Sequence, residues 1–464
     1  MLTNIMRKAQ GTAIVARNLI GQGKVPYLPQ DELFRLRDRR VREIVGYAAR
    51  TVPFYRDFFQ SSGLDPAEIR TAGDLARLPL IDKQVVRAQP ERFLSTSGRA
   101  SVGHAEWSSG TTGVPICVWH DRESLLANSA YTGRLRAVVR RLLGTRGPYR
   151  EVRIGSPTSP LNTVPQFLSE NRYMPFPRQH VLLSVFGPVE EVISGINAHR
   201  PDVVASLYGS YLELLFRTLV ARDIDMHRPG VLTHYADAVS AEGRRLIEEQ
   251  FGIPVVSEYS ATEAFKIGFV CEERCGFHCH EDLTHVRIVD GEGQTLPAGQ
   301  EGEVVISNLV NHGTVLLNYR LGDVAVLRKE RCRCGRTLRL LSLLEGRVSD
   351  ILELPDGSLL HSGRVRGVYN KRMREDPCGL LQYQLIQREW DTFEFRLATV
   401  DQESYDRAIG PFLADLQAVL GADVTIEPLR FAQRLPPGPG GKLRSVIAMR
   451  RPPTSNSPEG ETEA

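Results

Sequence analysis

The sequence predicts an α/β fold: a large N-terminal domain with a helical start, parallel sheets and a small β-subdomain, followed by a small α+β C-terminal domain. Three observations lead to this prediction. Between about residues 100 and 345, short apolar runs alternate with amphipathic helical runs, which is typical of parallel sheets. From 284 to 328, four short apolar runs are separated by turn residues, namely THVRIVD, EGEVVISNL, TVLLNYR and DVAVLRK. The length of 464 residues exceeds one ordinary hydrophobic core.

The chain divides into four predicted segments. Residues 1–95 form a helical region, because apolar residues recur at helical spacing in LFRLRDRRVREIVGYAARTVPFYRDFF. Residues 96–349 form the core domain, in which strands and helices alternate. Residues 350–450 form an α+β module of a common domain size. Residues 451–464 are rich in proline, serine and glutamate and are expected to be disordered.

Composition and charge exclude two broad classes of protein. The 58 basic and 55 acidic side chains give a formal net charge of +3, so no nucleic-acid partner is expected. No stretch of 18 apolar residues is present, so no membrane-spanning helix is expected. The first 24 residues read as a basic amphipathic helix. Packing of this helix on its own domain is favoured over a membrane-surface role.

Five of the seven cysteines fall in two clusters, CEERCGFHCH at 271–280 and CRC at 332–334. An odd number of cysteines without an export signal predicts reduced thiols and a cytoplasmic protein. Two soft-ligand clusters suit a tetrahedral structural Zn²⁺ with two ligands from each, and unligated thiols are the alternative. Cys332 and Cys334 form one pair. The candidates in the first cluster are Cys271, Cys275, His278, Cys279 and His280.

A loop rich in glycine and hydroxyl residues predicts phosphate binding. Trp107 to Pro115 reads WSSGTTGVP. Glycines let backbone amides turn inward, and serine and threonine hydroxyls add donors for an oxyanion. The loop lacks the Gly-x-x-x-x-Gly-Lys-Ser/Thr pattern of P-loop NTPases, and a plain hydrophilic turn is the alternative. The residues predicted to bind phosphate are Ser108, Ser109, Gly110, Thr111, Thr112 and Gly113.

This loop and four later motifs resemble, in the same order, those of the adenylate-forming (AMP-binding) superfamily of acyl-CoA synthetases, peptide-synthetase adenylation domains and luciferases. The four are EYSATE at 258–263, YRLGD at 319–323, GRVSD at 346–350 and GKLR at 441–444. The N-terminal helical region and the segment CRCGRTL further resemble the phenylacetate–CoA ligase family, within it the branch named for capsular-polysaccharide biosynthesis. The resemblance covers about residues 25 to 450.

The resemblance implies a reaction and its partners. ATP would adenylate a small carboxylic acid with release of pyrophosphate, and the acyl group would then pass to the thiol of CoA. Because the substrate oxygen is the nucleophile, the protein needs to supply only positioning and charge stabilisation. Transfer to an amine or a carrier protein is one alternative, and a nucleotide-binding protein without turnover is another. A second copy of the chain is a further candidate partner.

The resemblance also implies roles for single residues around the phosphates. Glu263 is the implied Mg²⁺ ligand, since a hard cation that bridges phosphates prefers a carboxylate. Thr262 is implied to bond the α-phosphate, while Tyr259 or Ser260 lines the adenine side. The alternative for Glu263 is a solvated acid at a helix start. For the zinc, the family pattern selects Cys271 and His278 as partners of the Cys332–Cys334 pair.

Four further residues have implied roles. Asp323 would accept both ribose hydroxyls of AMP, and Arg347 would reach a phosphate or ribose oxygen. Lys442, in the loop LPPGPGGKLR, is the implied catalytic lysine, which bridges the substrate carboxylate and the α-phosphate. Asp350 is the implied hinge of a mobile C-terminal domain, whose rotation removes Lys442 from the site. The alternative for each is a surface charge or a turn acid.

The sequence departs from the family pattern at two places. Val114 stands where many phosphate loops of the family carry a lysine, so a phosphate-binding charge is missing. In THYADAVSAEGRRL, at 233–246, Tyr-Ala-Asp-Ala replaces a glycine-rich turn with a glutamate near Asp237, a region that contacts adenine in relatives. The acyl pocket is expected to draw on the segments 208–212, 236–239 and 257–261 and on the segment before Trp107.

Overall fold

The computed structural model of the chain describes residues 2–108, 116–173, 181–347, 351–376, 379–438 and 443–449. The tail predicted to be disordered, 451–464, lies outside these ranges. The contacts divide the chain into two compact units. The first is Met1–Val348 with Pro436–Leu443, and the second is Ser349–Leu435 with Arg444–Ala464. The predicted helical region falls in the first unit, and so does the predicted core domain up to residue 348.

The first unit begins with helices and a hairpin. The hairpin consists of β1 (His104–Trp107) and β2 (Cys117–His120), which pair antiparallel. The helices are α1 (Leu2–Leu19), α2 (Gln30–Thr51), α3 (Pro53–Ser62), α4 (Lys83–Ala88), α5 (Arg122–Tyr131), α6 (Gly133–Leu142), α7 (Pro160–Asn171), α8 (Val189–His199), α9 (Gly209–Ala221) and α10 (Ala241–Arg245). Within the described residues, none of these helices is long and apolar enough to cross a membrane.

The boundaries of α3 show how local sequence sets these helices. Pro53 occupies the first turn, where its fixed φ suits a helix and its missing N–H costs nothing. The helix ends at Gly63, whose φ of 70° is left-handed and therefore favours glycine. Tyr55 and Phe59, four residues apart, turn inward to the largest core cluster.

A sheet of 11 strands, counted over the described residues, forms the body of the first unit and confirms the predicted α/β class. The strands are β3 (Glu151–Gly155), β4 (Val181–Ser184), β5 (Val203–Ser206), β6 (Val231–His234), β7 (Val255–Tyr259), β8 (Gly268–Val270), β9 (Phe277–Cys279), β10 (Thr284–Val289), β11 (Glu301–Asn308), β12 (Tyr319–Leu327) and β13 (Leu340–Arg347). Their spatial order is β10-β11-β12-β13-β9-β8-β7-β6-β5-β3-β4.

The sheet has a parallel half and an antiparallel half that meet at β7. From β4 to β7 the strands pair parallel, and the pairing aligns Ser206, His234 and Ser257 near their carboxyl ends. From β7 to β10 every pairing is antiparallel. Strands β5, β6 and β7 are buried along their whole length, as expected for parallel strands with both faces covered.

One strand expectation was wrong. TVLLNYR and DVAVLRK, expected as two strands, contribute a single strand that begins at Tyr319. Residues 315–317 are fully buried, but two of their backbone N–H groups donate to the N-terminal helical region. The Val315 N–H donates to the Phe93 carbonyl, and the Leu317 N–H donates to the Tyr55 hydroxyl. Asn318 then turns the chain with a φ of 58°, so a continuous strand cannot form.

The second unit is an α+β module. Its strands are β14 (Ile351–Glu353), β15 (Leu359–His361), β16 (Leu380–Gln387), β17 (Thr392–Thr399), β18 (Thr425–Ala432) and β19 (Val446–Ile447), and its helices are α11 (Ser362–Glu375) and α12 (Gln402–Leu420). A sheet of order β18-β17-β16-β19 shares a core with the helices, in which Phe393 and Phe395 lie with Phe412. Asp401 caps α12 by accepting from the Ser404 N–H.

Candidate active site

The predicted phosphate loop is the connection of the β1–β2 hairpin. Strand pairing places Trp107 opposite Cys117, and the backbone closes just beyond this pair. The Ser108 N–H donates to the Ile116 carbonyl at 2.9 Å, and the Ile116 N–H donates to Ser108 Oγ at 3.0 Å. These two hydrogen bonds fix both ends of the loop. Ser109, Gly110, Thr111, Thr112, Gly113 and Val114 lie outside the described residues.

The motif EYSATE lies at the carboxyl end of β7, where the two halves of the sheet meet. Tyr259 ends the strand, and Thr262 and Glu263 form the turn that follows. Ligands of open α/β sheets bind beyond the carboxyl ends of parallel strands, so this turn is well placed for a ligand. Ser260 and Thr262 are half-buried, whereas Glu263 is only 7% exposed.

Three side chains from distant parts of the chain hold this turn. His120 Nε2 donates to the Thr262 carbonyl at 2.9 Å, and Asn308 Nδ2 donates to the Glu263 carbonyl at 3.0 Å. The Tyr319 hydroxyl lies 3.1 Å from Glu263 Oε1 and donates to it. Glu263 is therefore held both at its backbone carbonyl, by Asn308, and at its carboxylate, by Tyr319.

His120 has the character of a fixed neutral donor. Burial lowers the pKa of its imidazole to about 4, so the ring is uncharged at neutral pH. Because the Thr262 carbonyl can only accept, the proton lies on Nε2. The ring stacks on Phe265, with centroids 4.1 Å apart. Since His120 ends β2, it connects the phosphate-loop hairpin directly to the Thr262–Glu263 turn.

The motif YRLGD contacts the motif EYSATE at both of its ends. Its first residue, Tyr319, bonds to Glu263, and its last residue, Asp323, bonds to Tyr259. The Tyr259 hydroxyl donates to Asp323 Oδ2 at 2.7 Å. In the pairing of β12 with β13, Asp323 lies opposite Arg347, which belongs to GRVSD. Of the motif GRVSD, Asp350 lies outside the described residues, and so does Lys442 of GKLR. The structure thus brings residues of three of the five motifs, EYSATE, YRLGD and GRVSD, close to one another.

The departure at Asp237 has a structural reason. The Asp237 carboxylate accepts from both the Ser210 N–H, at 3.0 Å, and the Ser210 hydroxyl, at 2.7 Å. It therefore holds the first turn of α9. A Cβ on Gly209 would lie 2.5 Å from the Val239 backbone nitrogen, so the two segments pack at backbone contact. In this chain Asp237 serves that packing.

The two cysteine clusters meet in space. Cys271 directly follows β8, His278 lies on β9, and Cys332 and Cys334 lie in the turn that precedes β13. Their ligand atoms all lie within 4.8 Å of one another. Cys271 Sγ is 3.5 Å from Cys332 Sγ, and Cys334 Sγ is 3.3 Å from His278 Nε2. A tetrahedral zinc with bonds of about 2.3 Å separates sulfur ligands by roughly 3.7 Å.

The donor chemistry of this cluster also fits zinc. Burial lowers the pKa of His278 to about 4, so its imidazole is neutral and able to ligate. Arg336 donates its backbone N–H to Cys334 Sγ at 3.5 Å and pairs with Glu272 at 2.6 Å. Such outer contacts orient metal ligands.

The three other candidate zinc ligands of the first cluster lie in different surroundings. Cys275 Sγ lies 3.0 Å from Cys332 Sγ, at the border of the cluster. Cys279 belongs instead to the hydrophobic core beneath the sheet. His280 Nδ1 bonds to Arg134 at 2.9 Å, away from the thiols. The six described cysteines are all free thiols.

Three residues that hold the site have no role that the sequence predicts: His120, Asn308 and Tyr319. Tyr319 opens the motif YRLGD, so the motif itself was a signal. His120 and Asn308 act through side-chain bonds to backbone carbonyls 142 and 45 residues away, and no local pattern marks such contacts.

Known proteins resemble the chain in sequence and in fold. It is 28% identical to a phenylacetate–coenzyme A ligase of Thermus thermophilus, over 93% of this chain and 99% of the relative. A second, from Aromatoleum evansii, is 25% identical over 70% of this chain and 72% of the relative. No protein-family model matches the chain.

Among solved structures, 2-hydroxyisobutyryl-CoA ligase in the postadenylation state, in complex with R3-HIB-AMP, superimposes with a TM-score of 0.70. The match covers 92% of both chains at 18% identity, so it shows likeness of fold. The sequence relatives support the family predicted from the five motifs. The chain is thus similar, over nearly its whole length, to phenylacetate–coenzyme A ligases, in agreement with the family that its motifs resemble.

Proposed function

We propose that the chain is an ATP-dependent acid–thiol ligase, which converts a small carboxylic acid to an acyl adenylate and then to a CoA thioester. The observation that carries this proposal is the Thr262–Glu263 turn, held at the carboxyl end of β7 beside the phosphate-loop hairpin and next to Asp323. The sequence relatives are named CoA ligases, which supports CoA as the acceptor.

In the first step a carboxylate oxygen of the acid attacks the α-phosphorus of ATP. A new O–P bond forms, the bond to the bridging oxygen breaks, and pyrophosphate leaves with the electron pair. We assign Glu263 as the ligand of a Mg²⁺ ion, which neutralises phosphate charge when bound. Thr262 would donate to the α-phosphate. The loop from Ser108 to Gly113 would bind the β- and γ-phosphates through amides and hydroxyls.

The nucleoside is held by the neighbouring motifs. Asp323 accepts from Tyr259 through Oδ2, and we propose that the carboxylate also accepts from the ribose hydroxyls. Tyr259 and Ser260 would line the adenine side, and Arg347 would contact a phosphate or ribose oxygen. In the second step the CoA thiolate attacks the acyl carbonyl, and AMP leaves with the electron pair of the C–O bond.

Tyr259→Phe tests the link between the two motifs. It removes the hydroxyl that holds Asp323 and keeps the ring, so the ribose-binding carboxylate loses one charge-assisted hydrogen bond. We expect the KM for ATP to rise about tenfold with little change in kcat. Steady-state kinetics measure both. Tyr405→Phe, a half-buried tyrosine in α12, is the matched control and should leave both constants unchanged. An unchanged KM in Tyr259→Phe would contradict the ribose role of Asp323.

Lys442→Ala tests the proposed catalytic lysine. The ammonium would balance charge that builds on the α-phosphate and on the departing pyrophosphate, so its loss should slow adenylation by roughly 10²–10³-fold. Acid-dependent release of pyrophosphate measures this step. Transfer to CoA from chemically supplied acyl adenylate should be much less affected. Unchanged pyrophosphate release would remove Lys442 from the mechanism and leave the rest of the site in place.

We further propose that Cys271, His278, Cys332 and Cys334 bind a structural Zn²⁺. The geometry and the neutral imidazole support it. We also propose a cytoplasmic location, which is supported by the six described cysteines, since none of them forms a disulfide and reduced cysteines persist in a reducing compartment.

A further inference from the structure

A buried ion pair between Lys266 and Glu258 has no role in the proposed function. Lys266 Nζ donates to Glu258 Oε2 at 2.5 Å. The two residues are only 8% and 3% exposed, and lysine and glutamate are almost never buried unless their charges are paired. One partner precedes the Thr262–Glu263 turn along the chain and the other follows it, so the pair is well placed to control the position of the turn.

The ion pair closes the base of the loop that carries the turn. The loop leaves β7 at Tyr259, and the next strand, β8, pairs antiparallel with β7. Where the loop returns, the Ile267 N–H donates to the Tyr259 carbonyl at 3.0 Å. Lys266 directly precedes Ile267, so the ion pair and this backbone bond lie side by side. Together they join the returning end of the loop to the strand from which it started.

Packing alone does not fix the returning half of this loop. Residues 264–266 line a cavity, together with His120 and Asn308, which bond to the carbonyls of Thr262 and Glu263. A cavity lacks the close contacts that hold side chains in a filled interior. A hydrogen bond between two charged groups is short and directional, so the Lys266–Glu258 pair supplies a constraint that the cavity does not.

Lys266 is the cation on which Glu258 depends. The other carboxylate oxygen, Oε1, faces His280 Nε2 at 3.9 Å, and neither atom has a hydrogen-bond partner among the described residues. Arg134 donates to His280 Nδ1 and pairs with Asp282, not with Glu258. Burial raises the pKa of Glu258, but the attraction of the Lys266 ammonium is the largest effect that lowers it, and the net shift is downward. Without Lys266, a buried carboxylate would lose its partner.

We propose that Lys266 is a positioning residue for adenylation. Through its ion pair with Glu258, it holds the turn where Thr262 meets the α-phosphate and Glu263 meets Mg²⁺. The inference rests on the proposed ligase function, because both of those roles belong to it. A displacement of about 1 Å at a reacting group can cost roughly 10²-fold in rate, so a side chain that does not touch the substrate can still control turnover.

Three variants separate positioning from folding: Lys266→Met, Glu258→Gln and the combination of both. Lys266→Met leaves the buried carboxylate without its partner and should lower both thermal stability and turnover. In the double variant neither charge remains, so thermal stability should return towards that of the parent. The kcat for acid-dependent pyrophosphate release should still be about 10–100-fold below the parent, with the KM for ATP changed less than about threefold. Recovery of kcat together with stability would overturn the proposal, since the pair would then serve folding alone.

Hydrogen exchange of the peptide 258–267 measures the order of the loop without any substrate. The amides of Ala264 and Ile267 are bonded within the loop and should exchange at least about tenfold faster in the double variant than in the parent. Lys371→Met, which breaks an ion pair with Asp415 in the second unit, is the matched control and should change neither this exchange nor pyrophosphate release.

The two measurements distinguish this inference from the proposed function. Unchanged exchange in the double variant would contradict the positioning role even if the parent is an active ligase. A parent that releases no pyrophosphate, but whose loop exchanges faster once the pair is removed, would contradict the ligase function and support the part of the ion pair in ordering the turn.

Discussion

Glu263→Gln is expected to reduce acid-dependent pyrophosphate release by roughly 10²–10³-fold. The change keeps the size of the side chain and removes the negative charge that we propose to bind Mg²⁺. In the structure this carboxylate is 7% exposed and its position is fixed by Tyr319 and by the bond from Asn308 to its backbone. The loss should appear in kcat, and excess Mg²⁺ should rescue it only partly.

Two companion variants separate catalysis from folding. Tyr319→Phe frees the carboxylate from one hydrogen bond but leaves its charge, so a smaller loss of about tenfold is expected, with a raised Mg²⁺ requirement. Glu292→Gln removes the charge of an exposed turn glutamate and should behave as the parent. Thermal unfolding of all three should match that of the parent within a few degrees. Full activity of Glu263→Gln would exclude Glu263 as the metal ligand.

Cys332→Ser is expected to cause the largest loss of stability. The Cys332 thiol is where the second cluster meets the first, 3.5 Å from Cys271 Sγ and 3.0 Å from Cys275 Sγ, and it is one of the four proposed zinc ligands. Loss of a structural metal removes part of the free energy of folding, and we expect the free energy of unfolding to fall by ~4 kcal/mol or more. Purified parent protein should hold one equivalent of zinc, and the variant should hold far less.

The choice of ligands can be tested within the same series. Cys275→Ser should retain zinc, because Cys275 lies outside the set of four whose ligand atoms converge. Cys117→Ser, which changes a half-buried thiol on β2 far along the chain, is the matched control. Elemental analysis gives the zinc content, and denaturant unfolding gives the stability. A parent protein without zinc would refute the site, and loss of zinc in Cys275→Ser with retention in Cys271→Ser would refute the ligand set.

The class of fold could be predicted because local patterns express it. Apolar runs such as VVAS and VVSEY are buried along their whole length, as parallel strands are. The order of the strands could not be predicted, since it depends on pairings between distant segments. Strand β13, for example, joins β12 to β9, and β7 changes from parallel to antiparallel neighbours. Residues 315–317 illustrate the same limit, because their bonds to Phe93 and Tyr55 come from far along the chain.

For the site, too, some features could be predicted from the sequence and others could not. The motifs indicated which residues carry charge and hydroxyl groups, because phosphate and metal chemistry restricts the residue types that can serve. Which residues hold them in place was not visible in the sequence. His120 and Asn308 are ordinary polar residues until folding brings them to the carbonyls of Thr262 and Glu263. The role of Asp237 likewise follows from its bonds to Ser210, which no motif indicates.

The ligase proposal is tested most directly by the products formed from a panel of carboxylic acids with ATP, with and without CoA. We predict that at least one acid releases AMP and pyrophosphate in equal amounts, and that CoA increases turnover and yields the acyl thioester. If pyrophosphate release is unaffected by CoA but increased by an amine or a carrier protein, that compound and not CoA is the acceptor in the second step. Absence of acid-dependent pyrophosphate release across the panel, from protein that binds ATP, would contradict the proposed adenylation.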